Sequence, residues 1–345
     1  MSWAEWWRRL PDRAAVVGAG VIGLSAARAL AQDGFDVTVY ERDRIGSTQG
    51  SSRGRSRIFR RTYRHADYIR LAVRANEEWR RLDPCPLREN GLLEYGQGVE
   101  LHAAAFDEVG QPYEWLEPAE AERRFPEAHF PEPVLWDAQA GAVMADEALA
   151  TLARGLDVRE GTVVADPREL EADVIVAAPG SWLGAMFDLP LQPQIEQVTY
   201  FAGAPDDRPS VIDHGGPDRR LYYGLVTPGV GYKVAEDAAR PGYWDPDRPE
   251  RPVDRELEAR LAEHVRRMFP GFDPRPVHSE ACLYTMSPDG DFVLDRIDGV
   301  IVCGGCSGHA FKFGPLLGRL IADLAQGRPL PPEAERFRAS RLAPA

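Results

Sequence analysis

Apolar and polar positions follow two rhythms along the chain, and the change from one to the other marks the first elements. A short apolar run, Ala14 to Val17, precedes a glycine turn, after which Ala26, Ala27, Leu30 and Ala31 recur at helical spacing. Gly34 closes this helix, and "DVTVYE" then alternates as a second strand. The predicted unit is βαβ. A polar loop follows. From about Ala66, the residues Tyr68, Leu71, Ala72 and Trp79 fall on one helical face. From "ENGLLEYG" to about residue 140 the chain is rich in Pro, Glu and aromatics, with short strand candidates. "ADEALATLARGLDV" predicts an amphipathic helix and "DVIVAAPGSW" a buried strand with a turn. Short alternating segments fill residues 193 to 283, with "RRLYYGLVTPGVGYKVAED" as a hairpin. The α/β rhythm returns with the strand and glycine turn of "GVIVCGGCSGHAFKF" and the helix "GPLLGRLIADLAQG", closed by Gly327. Residues 328 to 345, rich in Pro, Arg and Ala, read as a tail.

This alternation predicts an α/β chain in which a Rossmann-type domain is interleaved with an α+β domain built on a mainly antiparallel sheet. The first domain is expected to take residues 1–84, 143–192 and 284–335, the second 85–142 and 193–283, leaving 336–345 as the tail.

Composition narrows the class of function. With 44% hydrophobic and 28% charged residues among 345, the chain has the make-up of a globular protein. No apolar run approaches a membrane span, and "MSWAEWWRRLPDR" lacks the apolar middle of a signal peptide, so a cytoplasmic location is expected, with no membrane partner. The role of its tryptophans is not legible. Four cysteines argue against a disulfide framework. The net charge of -13 repels nucleic acid, so the six arginines from Arg53 to Arg64 form either a local anion site or a solvated basic face. Lysine and arginine total 41, and only Lys233 and Lys312 are lysines. A coding bias toward arginine accounts for the surface, and the two exceptions mark positions where a compact ammonium does what a planar guanidinium cannot.

Within the βαβ unit, Gly18, Gly20 and Gly23 form GxGxxG, and Glu41 ends the second strand. The glycines permit a tight turn and close approach of backbone to a pyrophosphate at the helix N-terminus, while Glu41 accepts hydrogen bonds from a ribose. This points to a dinucleotide and leaves NAD and FAD equally open.

The segments "VVGAGVIG", "SRIFRRTY", "LYYG", "CLYTMSPDGDFVLD" and "GGCSGHAFKF" occur in the order, and over nearly the whole length, in which they occur in flavoprotein amine oxidases. The chain resembles the D-amino-acid oxidase superfamily, in particular monomeric sarcosine oxidases and N-methyl amino acid oxidases. The resemblance implies FAD rather than NAD, with Ile22, Arg42, Ser51, Ser52, Val164, Gly305, Gly308 and His309 also against the cofactor. It implies that Cys282 carries the flavin as a thioether, which prevents loss of the cofactor and raises its potential. An unlinked core cysteine is the alternative. Cys303 and Cys306 invite a redox or metal reading, but further ligands at metal spacing are missing and packing is expected; no metal is assigned.

By the same resemblance, Arg60 and Lys312 hold a substrate carboxylate, Arg57 lies over the flavin, and Lys233 promotes reaction with O2. Tyr223 and Tyr284 match pocket aromatics, and Asp237 stands where sarcosine oxidases have a histidine. That departure puts sarcosine itself in doubt and suits a bulkier or cyclic amino acid. The expectation is a monomeric FAD-dependent oxidase of a secondary, N-methyl or cyclic α-amino acid, reducing O2 to H2O2. An FAD dehydrogenase with another electron acceptor and a non-catalytic flavin-binding partner protein are the alternatives.

Overall fold

The computed structural model describes residues 12–215 and 220–342. The tryptophan-rich N-terminal stretch lies outside them.

Two large sheets carry the architecture. The first has six strands in the order Val293–Ile297, Val300–Gly304, Val174–Ala177, Arg13–Val17, Asp36–Tyr40, Asp157–Arg159. All neighbours are parallel except the first pair. Its inner strands read as continuous apolar runs because helices cover the sheet. Helices Val21–Gln32 and Gly314–Ala325 pack there against each other. Gly314 and Gly318, one turn apart, make the contact close: a Cβ on Gly318 would lie 2.4 Å from the backbone of Ser25.

The second sheet has eight strands in the order Pro276–Met286, Gln192–Phe201, Gly231–Glu236, Tyr222–Thr227, Ser210–His214, Leu92–Gly96, Val134–Asp137, Glu114–Leu116. It is antiparallel except where Ser210–His214 runs parallel to Leu92–Gly96. A small sheet of Ser56–Phe59, Gly141–Met144 and Leu87–Arg88 is the third. The fold is the α/β arrangement expected, with segments of the two large sheets alternating along the chain.

Three helices correct the strand-rich reading of the middle of the chain. Val99–Val109 and Pro118–Arg124 lie within the stretch for which short strand candidates were the elements named. Arg255–Met268 lies within the segment read as alternating. Its signals were local: the Asp254 side chain caps the amides of Glu256 and Leu257, and Leu257, Leu261, Val265 and Met268 form one buried stripe. The C-terminal segment is also not a free tail as far as Leu342. Leu330, Ala334 and Phe337 are buried in the same core as the helices on the parallel sheet. Among the described residues, no helix is long and apolar enough to cross a membrane.

Candidate active site

One cavity of about 460 Å³ runs from the glycine turn to Lys312. At the turn, Gly18 has φ +99°, and a Cβ there would lie 2.4 Å from the carbonyl oxygen of Ala178. Only glycine meets both demands. Gly23 does not line the cavity; its Cβ would collide with the Gly18 carbonyl at 1.9 Å, so it serves the packing of helix on turn. Helix Val21–Gln32 begins at Gly20 without a side chain of its own as cap, and the Val21 amide donates to Ser52 Oγ at 3.0 Å. Glu41 Oε2 accepts from the Ala19 amide at 2.7 Å and Oε1 from the Asp43 amide at 3.0 Å, which fixes the carboxylate at the rim. Ile22, Arg42, Ser51 and Val164 line the same end, and the Arg42 guanidinium lies 4.2 Å from the centre of the Trp182 ring. An open helix N-terminus, a glycine cradle and a fixed carboxylate fit the pyrophosphate and ribose of FAD.

The far end is cationic. The Arg60 guanidinium lies 3.9 Å from the centre of the Tyr63 ring, and the Lys312 ammonium 6.0 Å from the same centre. Lys312 Nζ donates to the His309 carbonyl at 2.9 Å. Lys312 is buried, and that burial, reinforced by the Arg60 charge, pushes its ammonium well below the ordinary lysine range. Asp237 lines this end with its side chain exposed at the cavity mouth; desolvation by the packed surroundings raises its carboxyl, while Arg60, Lys312 and His214 oppose the rise. His309 is kept neutral by burial, with Nε2 facing the Gly290 carbonyl at 3.1 Å and Nδ1 3.3 Å from the Tyr63 hydroxyl. Tyr223 and Tyr284 meet hydroxyl to hydroxyl at 3.0 Å. Gly308, at φ +76°, makes room for the Tyr284 ring, which a Cβ would strike at 2.4 Å. Gly305 lines the cavity beside it.

A second cation group is built around one carbonyl. Lys233 Nζ and Arg57 Nη1 both donate to the backbone oxygen of Ser56. Burial first, and then the Arg57 charge, lower the Lys233 ammonium to about 7. Arg53 pairs with Glu280 at 3.0 Å, and Glu280 accepts from the Tyr200 hydroxyl at 2.7 Å. Cys282 is a free thiol lining the cavity, and burial raises its pKa despite Arg57 nearby. The strand register sets Glu196 directly opposite it. Burial, with help from the Asp237 charge, pushes Glu196 up to about 8.

The cavity thus brings together every candidate site residue named from sequence except Gly23. The arginine run resolves into parts. Arg53, Arg57 and Arg60 line the cavity, whereas Arg61 is buried elsewhere in a bidentate pair with Asp137. Cys303 lies in the core on strand Val300–Gly304 with Cys306 packed beside it in the turn that follows, and both also border the cavity. Tyr63, His214, Glu196 and Glu280 were not singled out in the sequence. Glu280 had a legible signal, since it lies in phase with the cavity-lining Cys282 and Tyr284 on its strand.

Comparison with known proteins bears on the identity of the dinucleotide. A family model described as FAD dependent oxidoreductase matches residues 13–324. Human peroxisomal sarcosine oxidase is 28% identical over 378 residues, covering 95% of this chain and 96% of that protein. N-methyl-L-tryptophan oxidase of Salmonella agona is 26% identical over 369 residues, covering 95% and 98%. Among solved structures, NikD, described as an unusual amino acid oxidase essential for nikkomycin biosynthesis, superposes with a TM-score of 0.80 at 25% identity, covering 95% of this chain and 96% of that one.

Proposed function

The chain belongs to the family of FAD-dependent oxidoreductases, and from that premise we propose that it is a monomeric oxidase of secondary, N-methyl or cyclic α-amino acids that reduces O2 to H2O2. The observation that carries this reading is the pairing of Arg60 and Lys312 over one ring, in the same cavity as the dinucleotide turn. FAD, when bound, supplies the acceptor for the two electrons and the hydrogen lost from the carbon next to the amine.

The chain's own residues supply the rest. Arg60 offers a planar fork to a carboxylate and Lys312 a point charge, which together orient an α-amino acid. Their low-dielectric setting strengthens the attraction, because water that would screen it is displaced when substrate enters. Asp237 faces the same space and suits the nitrogen side of a substrate larger than sarcosine. The amine must be unprotonated for its lone pair to stabilise the developing iminium, so a proton has to leave before the C–H bond breaks. Lys233, with Arg57 beside it, is placed to stabilise negative charge forming on oxygen. Cys282 is the position for a thioether to the cofactor.

The visible spectrum of the purified protein, followed by acid precipitation, tests the cofactor. Yellow colour in the pellet, moved to the supernatant by Cys282→Ser, is the outcome expected. Bleaching by secondary α-amino acids without oxygen, and peroxide release with oxygen, test the reaction. Bleaching without oxygen uptake would make the protein a dehydrogenase instead, and no bleaching by any amino acid would leave a flavin-binding protein.

A further inference from the structure

Behind the substrate end of the cavity lies a cluster that the reading above leaves unused. His214 ends the strand Ser210–His214 and lines the cavity, with its side chain 13% exposed. The parallel neighbour Leu92–Gly96 sets Glu94 beside Ile212, one pleat away. Glu94 is fully buried: Oε1 lies 2.5 Å from His214 Nε2, and Oε2 lies 3.2 Å from Nδ1 of His102, which stands on helix Val99–Val109. The two imidazoles meet edge to face at 5.2 Å.

A carboxylate in such a place is costly to ionise unless it is paired. Burial works to raise the Glu94 carboxyl, but the two histidines outweigh it and hold it well below the usual range. Glu94 is therefore a standing negative charge inside the fold. An ionised Glu94 can only accept, so His214 Nε2 donates to it, and in the neutral ring Nδ1 is then the accepting nitrogen. The donor atoms of the three residues lie within 4.8 Å of one another. A shared cation is nevertheless a poor fit. Ligands about 2.0–2.1 Å from a tetrahedral zinc stand more than about 3 Å apart, whereas His214 and Glu94 are at hydrogen-bond distance, 2.5 Å.

We propose that His214 is the proton acceptor for the substrate amine, and that Glu94 and His102 are positioning residues that hold it ready. This rests on the amino acid oxidase reading. An α-amino acid enters with an ammonium group. One proton passes from that nitrogen to His214, giving a neutral amine and an imidazolium; no electrons move in this step. The imidazolium forms against the Glu94 carboxylate, which stabilises it as it would stabilise any histidine acting as a base. The other charged and titratable groups facing His214 are Asp213 on its own strand, Asp237 within the cavity, and Arg60, Lys312 and Tyr63 beyond Asp237 and Glu94. Asp237 is the rival acceptor. Arg60 and Lys312 both act on its charge, whereas Glu94 reserves His214 for a proton from the cavity.

The test is the pH dependence of anaerobic bleaching of the holoenzyme by a secondary α-amino acid, for wild type, His214→Asn, His214→Gln, Glu94→Gln and Asp237→Asn. In wild type the rate rises with pH to a plateau. In both His214 variants the rise should move toward the pKa of the free amine, with a loss of about a hundredfold at neutral pH and recovery near the plateau of wild type at high pH. Glu94→Gln should shift the profile part of the way. A purely structural role would lower the rate equally at all pH, and that result overturns the proposal. So does an unshifted profile in His214→Gln, or a shift seen only in Asp237→Asn. Stoichiometric divalent metal in the purified protein, lost in Glu94→Gln, would also overturn it. A wild type that no amino acid bleaches would instead refute the oxidase reading itself.

Discussion

Arg60 and Lys312, far apart in the chain, approach the same aromatic ring: the guanidinium carbon stands 3.9 Å and the ammonium 6.0 Å from the centre of Tyr63. The ring is buried and uncharged, so it balances neither group, and both adjoin the space that Asp237 lines.

Arg60→Ala and Lys312→Ala should each weaken binding of substrate or of a simple carboxylate. A lost charge-assisted hydrogen bond costs about 1.5–3 kcal/mol, or about ten- to a hundredfold in kcat/KM. Arg60→Lys should rescue little, because a point charge does not reproduce the fork. Since burial depresses the Lys312 ammonium, binding of a carboxylate should strengthen as pH falls and protonates it. Perturbation of the visible spectrum by added carboxylate reads both effects.

Lys233 should control the oxygen half-reaction alone. Its folded pKa, about 7, lies below the ordinary value of 10.5, so its charge is present below about pH 7 and lost above it. Between those values the unfolded chain holds a proton that the folded chain does not, so this residue's contribution to stability rises with pH across that window. The rate of reaction with oxygen should accordingly fall as pH passes upward through about 7. Lys233→Met should slow that rate by about a hundred- to a thousandfold, flatten its pH dependence, and leave anaerobic bleaching nearly unchanged. Equal loss of both half-reactions would remove the assigned role.

Gly18→Ala should abolish cofactor retention. The added methyl would require φ near +99° in a residue with a side chain and would press on the Ala178 carbonyl, which belongs to backbone and cannot swing aside. A colourless preparation with intact far-ultraviolet circular dichroism is the expected result. Gly34→Ala is the control: that position has a positive φ but nothing within 4 Å of a Cβ.

Asp137→Ala should destabilise the fold without touching the cavity. Arg61 is 1% exposed and Asp137 is fully buried, so removing the carboxylate strands a buried guanidinium at a cost of about 3–5 kcal/mol. Denaturant unfolding should show a lower midpoint with an unchanged slope. Replacing both partners by apolar residues should recover most of the loss.

GxGxxG with Glu41 was legible because strand, turn and helix follow one another within about thirty residues and each has a local rhythm. The two lysines were legible through rarity against a background of arginine. Arg60 was separated from its neighbour Arg61 only by the resemblance, because nothing local says which guanidinium turns to the cavity and which to Asp137. Helix Arg255–Met268 carries its own cap and apolar stripe, but the alternating segments on either side mask that period in the sequence.

The sequence by itself determined the βαβ unit, the dinucleotide turn and the resemblance that singles out Arg60, Lys233, Cys282 and Lys312. Those are properties of spacing and residue type. Only the tertiary structure decided that Lys233 shares the Ser56 carbonyl with Arg57 across 177 positions, and that Glu94 stands between His102 and His214. Both depend on which strands pair and in what register, and register is set by packing between distant segments, to which the local pattern of apolar and polar residues is blind.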